Sequence, residues 1–270
     1  MSTGYLKRQK PKLSEQEISQ YLARIRTPRE LKPSLRYLRL LHRNHLMNIP
    51  FENLDISMRR EIILDIKHLN EKILIKRRGG FCYELNGFFY CLLQSLGFEV
   101  HLIGAQVYDR QGNLGSVLDH AALLVYLDDN IYLCDVGFGD SFSSPKVIHP
   151  GELQMDYTRY FRIDKNADED YTLSKSEDSL QFDPQYVFSK KAYQLVEFID
   201  MCHYHQTNPK SHFTKQNIIS QAKPDGRIIL TDKKLITQRL GEKQEQDILN
   251  HDEFCSLLQQ HFGITYEMNF

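Results

Sequence analysis

Three things are scarce in this sequence: net charge, long apolar runs and paired cysteines. Each absence removes a class of function. The formal net charge is -1, so no global field draws the chain toward nucleic acid or an anionic membrane, and such binding would need a local patch. No stretch is apolar for long enough to span a bilayer, and no continuous apolar segment follows the basic residues at the N-terminus, so neither a membrane anchor nor a signal peptide is expected. The five cysteines, an odd number at irregular spacing, do not read as a disulfide framework and predict a reducing, cytoplasmic setting. No C-x-x-C pair occurs, and the one close Cys/His cluster, Cys202-His203-Tyr204-His205, lacks the second spaced pair of a cysteine zinc site, so no metal is expected. Gly137-Phe138-Gly139 lacks the third glycine and following helix of a dinucleotide fingerprint and reads instead as close approach of backbone to a ligand. Neither an internal repeat nor a low-complexity segment is present.

What is there suits a globular domain with a substantial core: 270 residues, 41% hydrophobic and 26% charged. Residues 1–12 are polar and basic and read as a solvated tail. Ser14 and Glu17 form a capping-box pattern ahead of Ile18, Tyr21, Leu22 and Ile25 on one helical face. A second helix is predicted after Pro33-Ser34, carrying Leu35, Leu38, Leu41 and Leu46 up to Pro50, and a third after Asp65. Residues 100–107, 120–127 and 131–138 are apolar or β-branched runs separated by Asp, Asn and Gly, which predicts antiparallel sheet with a hairpin turn at Asp128-Asp129-Asn130. Short strands at 157–163, 171–174 and 181–182 suggest a sheet wrapping into a barrel. A helix over 192–205, a strand at 227–230 after the Pro224-Asp225-Gly226 turn and a helix over 252–262 complete the pattern. The fold class is therefore α+β: a helical bundle, then an antiparallel sheet wrapping toward a barrel, then a mixed tail.

The chemistry concentrates in Arg77-Arg78-Gly79-Gly80-Phe81-Cys82-Tyr83-Glu84-Leu85-Asn86. Leu85, Phe88, Phe89, Leu92, Leu93 and Leu96 follow at helical spacing and Gly97 caps the end, so a helix begins within a residue of Cys82. Unpaired N-H groups at a helix start favour a thiolate and can make such a cysteine a nucleophile; the alternative is a buried core cysteine. A nucleophile needs a base, and the base an orienting partner. His120 opens an apolar strand and Asp135 lies on the strand after it. If the hairpin turns at Asp128-Asp129, Asp135 faces Ala122 and becomes a diagonal neighbour of His120, about 7 to 8 Å away at the backbone and within side-chain reach. A turn one residue later would separate them. Taken singly, His120 also fits a satisfied strand-end histidine and Asp135 a carboxylate bonded to turn N-H groups.

With these residues quoted, the sequence resembles the arylamine N-acetyltransferase family, bacterial type. Pro50-Phe51-Glu52-Asn53-Leu54, Arg78 through Asn86, His120 and Asp135-Val136-Gly137-Phe138-Gly139 are similar to its segments in order and spacing. Gln206 through Thr214 is similar to a coenzyme-facing loop, with Asn208 where a serine is common. No long insertion of the animal type follows the second domain. The resemblance implies three domains, a helical bundle over 1–97, a β-barrel over 98–190 and a smaller α/β lid over 191–270, around a cysteine protease-like catalytic core, with Cys82, His120 and Asp135 as the triad. Acetyl-CoA would be the donor co-substrate, passing its acetyl group to Cys82 as a thioester and then to an arylamine, hydrazine or arylhydroxylamine, a ping-pong acyltransferase of xenobiotic metabolism. By position, Phe138 and Val107 would bind the acceptor and Tyr204, Asn208, Lys210 and Ser211 the coenzyme, while Arg78 and Glu52 would be a structural ion pair. Nucleic-acid and membrane partners are not expected, and the sequence is silent on oligomeric state. Other readings of the same residues are an amide synthase closing a macrolactam, a thiol hydrolase, or a binding module with an inert site.

Overall fold

The computed structural model describes residues 12–267; the basic stretch read as a solvated tail lies, apart from Lys12, outside the described residues. Helix α1 (Glu15–Arg24) starts where Ser14 Oγ accepts from the Glu17 N-H and Glu17 accepts from the Ser14 N-H, the reciprocal cap that the sequence predicts. Ser34 Oγ caps α2 (Leu35–Asn48) by accepting from the Tyr37 N-H, without the reciprocal bond. A two-residue strand, β1 (Phe51–Glu52), and a single helical turn, α3 (Leu54–Ser57), follow. Both are too short to leave a periodic signal in the sequence. Asp65 caps α4 (Ile66–Asn70), which runs on into a π-helical turn over Glu71–Ile75.

Helix α5 (Cys82–Ser95) is the centre of the molecule, with every residue from Cys82 to Gln94 buried. The sequence predicts a single apolar stripe, but this helix is covered all round. Leu85, Phe88 and Leu92 share one core with Tyr21 of α1, Leu38 of α2 and Leu102, Leu123 and Val125 of the sheet described next.

Eight antiparallel strands form that sheet: β2 (Glu99–Val107), β3 (His120–Leu127), β4 (Asn130–Cys134), β5 (Lys146–Val147), β6 (Gln154–Asp156), β7 (Arg159–Lys165), β8 (Tyr171–Ser176) and β9 (Asp183–Tyr193). Their order, β5-β4-β3-β2-β9-β8-β7-β6, curls so that the two end strands meet. Gln154 bonds both backbone groups of Val147, at 2.9 and 2.8 Å, and Lys146 Nζ lies 2.8 Å from Asp156 Oδ2. Side chains thus close a seam that backbone hydrogen bonds leave open, and the barrel is nearly complete. Ile103, Leu124, Leu133, Phe161 and Phe188 fill the inside, while alternate residues of β2 and β3 face α5. Burial on both faces explains why β3 reads as an unbroken apolar run.

Two readings of this region change. Strand β4 ends at Cys134, not at Phe138. In place of a short strand at 181–182 and a helix from 192, one eleven-residue strand runs to Tyr193, its Ala192 and Tyr193 paired with Ile103 and Leu102. Lys190, Lys191 and Ala192 are exposed there and mask the strand pattern. Helix α6 (Ile199–Thr207) follows a 3-10 turn. The last sheet has the order β1-β10-β11-β12-β13, built from β10 (Ile218–Lys223), β11 (Gly226–Thr231), β12 (Lys234–Arg239) and β13 (Glu242–Asp247), and is covered by α7 (His251–Phe262). Pairing of Phe51 with Ser220 stitches the early strand β1 to this late sheet, beside Cys82.

Candidate active site

Cys82 is the first residue of α5. Phe81 ahead of it is extended, and the Glu84 carboxylate accepts from the Phe81 N-H at 3.1 Å, which fixes where the helix begins. The chain arrives through Arg77 at φ +54°. Gly79 and Gly80 serve close packing and not a left-handed turn: a Cβ on Gly79 would run into the Pro50 carbonyl oxygen, and the Gly80 carbonyl accepts from the Glu52 N-H at 2.9 Å. Behind them lies a buried charge cluster. Arg78 Nη2 holds Glu52 at 2.8 and 2.9 Å and its other nitrogen holds Asp55, while Lys72 Nζ reaches Asp55 at 2.7 Å and Glu84 at 2.8 Å. The ion pair of Arg78 and Glu52 is therefore part of a five-residue network.

The β3–β4 hairpin turns at Asp128 and Asp129, with Leu127 opposite Asn130 and Leu123 opposite Cys134. Extending that register puts Asp135 across from Ala122. Because β4 has already ended, the Asp135 carboxylate is free to gather donors: His120 Nε2 at 2.8 Å and Tyr186 Oη at 3.1 Å on Oδ2, Asn86 Nδ2 at 2.9 Å and the Gly137 N-H at 3.0 Å on Oδ1. Burial alone would raise the pKa of this carboxyl group, but His120, Asn86 and the Gly137 N-H reverse that and hold it below the usual range. A carboxylate can only accept, so Nε2 of His120 carries the proton and Nδ1 is left as the basic nitrogen. The imidazole is wedged against Phe138 and Tyr186, with ring centroids at 5.2 and 5.4 Å.

Asn86 and Tyr186 escaped the sequence reading. Asn86 carried a signal, since it stands four residues after Cys82 on the same helical face. It also donates to the Ala121 carbonyl at 2.6 Å and accepts from the Val136 N-H at 2.9 Å, tying α5 to β3 and to the chain beyond β4. Tyr186 had no local signal. The Gly137 backbone also approaches α5, where a Cβ would lie 2.7 Å from Cys82 Cα.

The Cys82 thiol is buried at the helix start. Burial pushes the thiol well up, the Asp135, Cys202 and Asp119 charges add to that, and the Ala121 backbone opposes it. Proton loss thus requires a nearby acceptor. Cys82 and His120 line one cavity of about 280 Å³ whose walls include Phe51, Val107, Phe138, Phe213 and Ile229. Phe138 and Val107, the residues expected to bind the acceptor, are thus walls of the cavity that holds Cys82. Tyr204, Asn208, Lys210 and Ser211 do not line it; Lys210 is exposed, and the buried Ser211 hydroxyl is 3.2 Å from His205 Nδ1. Their neighbours His205, His212 and Phe213 do line it. Among the described residues no three His, Cys, Asp or Glu side chains are grouped to hold a metal.

Residues 34–270 match the family model described as N-acetyltransferase. The arylamine N-acetyltransferase / N-hydroxyarylamine O-acetyltransferase of Salmonella typhimurium is 31% identical over 236 residues, 86% of this chain and 83% of that protein. The chain belongs to the arylamine N-acetyltransferase family. It is therefore an acyltransferase. A second arylamine N-acetyltransferase, from Escherichia coli, is 30% identical over 92% of this chain and 88% of its own length. The solved Salmonella typhimurium structure superposes with a TM-score of 0.88 at 28% identity, covering 93% of this chain and 92% of that one. A Bacillus cereus arylamine N-acetyltransferase described with a unique Cys-His-Glu triad aligns at 0.85, with 28% identity over 94% and 100% of the two chains. In the family member described here, the carboxylate against His120 is an aspartate. Among the described residues no helix is long and apolar enough to cross a membrane.

Proposed function

We propose that this enzyme carries an acetyl group from acetyl-CoA to the amine of an arylamine, hydrazine or arylhydroxylamine through a thioester on Cys82, in a ping-pong cycle. The observation that carries the reading is that Cys82 and an imidazole fixed by Asp135 line the same apolar cavity. His120 Nδ1 takes the Cys82 proton, and Asp135 stabilises the imidazolium that results. The thiolate attacks the acetyl carbonyl, backbone N-H groups near Cys82 receive the oxyanion, and the departing coenzyme sulfur takes the proton back from His120. In the second half the amine attacks the thioester, its proton passes to His120, and Cys82 leaves as the thiolate.

Phe138 and Val107 support an aromatic acceptor, since both are apolar walls of the cavity. For the coenzyme, exposed Lys210 is suited by charge to a phosphate, with Tyr204, Asn208 and Ser211 on the same segment. We assign three domains, 1–97, 98–190 and 191–270; in support, Cys82, His120 and Phe213, one from each, line the cavity. Five free cysteines support residence in the cytoplasm. Intact-protein mass spectrometry after adding acetyl-CoA alone tests the mechanism. One acetyl group on Cys82, discharged by an arylamine, is expected. No adduct would reject the proposal, and rapid loss of the acetyl group to water without any amine would point to a thiol hydrolase.

A further inference from the structure

A second histidine and carboxylate face the cavity beside the first. Asp119, immediately before His120, and His205, on α6, both line it together with Cys82. His205 Nε2 lies 3.2 Å from Asp119 Oδ1, and the His205 Nδ1 is 3.2 Å from Ser211 Oγ. Asp119 is held in place by its surroundings. Tyr83, the second residue of α5, donates its hydroxyl to the Leu118 and Asp119 carbonyls at 2.7 and 3.0 Å. Gly115 leaves room for the carboxylate, because a Cβ there would stand 2.5 Å from Asp119 Oδ2.

The two pairs differ in how their charges are satisfied. Asp135 has four donors and is sealed from solvent, whereas the Asp119 side chain keeps 21% of its surface exposed and has His205 as its charge partner. His205 Nε2 makes no well-aligned hydrogen bond, so its contact with Asp119 is one of charge and strengthens when the ring is protonated. An unbalanced Asp119 carboxylate works against a thiolate in the same apolar cavity, and an imidazolium at His205 cancels it.

We infer that Asp119 and His205 form a second charge pair that sets how readily Cys82 gives up its proton, His205 favouring the thiolate and unbalanced Asp119 opposing it. The other groups around His205 do not compete for this role. Tyr83 on α5 stays neutral because burial raises its pKa far above the usual value, and burial holds the Cys202 thiol up at about 12. Burial and the neighbouring His205 depress His212, whose outer neighbour Lys215 acts in the same direction. Tyr204 meets the ring edge-on at 5.5 Å and brings no charge as a neutral phenol.

The inference rests on Cys82 as the nucleophile proposed above, but its test needs no acetyl donor. The rate of iodoacetamide alkylation at Cys82, located by peptide mass spectrometry, is followed against pH in the full chain and in D119N, H205Q and the double variant. H205Q, which leaves the Asp119 carboxylate unbalanced, should move the midpoint up by roughly half a pH unit to one unit, and D119N, which removes that carboxylate, should not raise it. The double variant should return to the parent midpoint or fall below it, because the carboxylate that H205Q leaves unbalanced is gone. An unmoved or lowered midpoint in H205Q, a raised one in D119N, or a double variant as high as H205Q would overturn the inference. If D119N does not fold, H205Q alone decides, and an unmoved or lowered midpoint overturns it. Acetylation by acetyl-CoA run in parallel separates the two claims. Moved midpoints without an acetyl adduct reject acetyl transfer and leave the charge pair standing; an adduct with unmoved midpoints does the reverse.

Discussion

Replacing Glu84 by glutamine removes one of three buried carboxylates that share only two cations, Lys72 and Arg78. The surplus negative charge falls on Glu84. Burial raises its pKa, Asp55 and Glu52 add to that, and Lys72 offsets only part, so the group rises from its ordinary 4.5 to about 7. Asp55 goes the other way: burial would raise it, but Lys72 and Arg78 hold it below its usual value. Between 4.5 and about 7 the unfolded chain has released a proton that the folded protein keeps, so stability falls as pH rises through this window. The gap from 4.5 to about 7 corresponds to about 3 kcal/mol, fully present below the window and gone above it. A glutamine side chain in this place would not titrate, could still accept from the Phe81 N-H, and would leave Lys72 its contact with Asp55 at 2.7 Å. E84Q should therefore match the parent within about 1 kcal/mol near pH 5 and exceed it by up to about 3 kcal/mol near pH 8. Urea unfolding of both proteins across this range measures the difference directly. If E84Q is less stable than the parent near pH 8, Glu84 is an ionised, stabilising partner of Lys72 and the assignment of the surplus charge is wrong.

Other substitutions test the site. Cys82→Ala should abolish turnover with the melting temperature retained, and measurable acetyl transfer by that variant would remove Cys82 from the mechanism. Asp135→Asn should lower kcat by roughly 10³ to 10⁴ by releasing the His120 tautomer; a near-normal rate would refute the assignment. Tyr186→Phe removes one of four donors to Asp135 and should cost about 1.5 to 3 kcal/mol, seen as a fall in kcat with KM little changed. Gly137→Ala forces a Cβ to within 2.7 Å of Cys82 Cα and should cost about 1 to 3 kcal/mol of stability in a urea titration. Lys210→Ala should raise KM for acetyl-CoA and leave kcat alone, and an unchanged KM would take the lysine away from the phosphates.

Local chemistry carried much of the plan of this molecule. The Ser14–Glu17 cap, the start of a helix at Cys82 and the two-residue turn at Asp128-Asp129 depend on neighbours a few residues apart, so they can be read from the chain. That turn in turn brings Asp135 within reach of His120, because an antiparallel register is fixed by its loop. The other deciding contacts join residues far apart in sequence. Strand β9 read as a short strand at 181–182 and the start of a helix at 192 until β2 and β8 supplied its partners, and with it came Tyr186, 51 residues from the carboxylate it bonds. Burial of α5 on every side, which raises the pKa of the Cys82 thiol, follows from the bundle and the sheet closing over it together. The sequence by itself determined which residues could do chemistry and where the helix and hairpin that bear them begin and turn. Only the tertiary structure decided what surrounds them, because desolvation and charge balance depend on everything packed nearby and not on spacing along the chain.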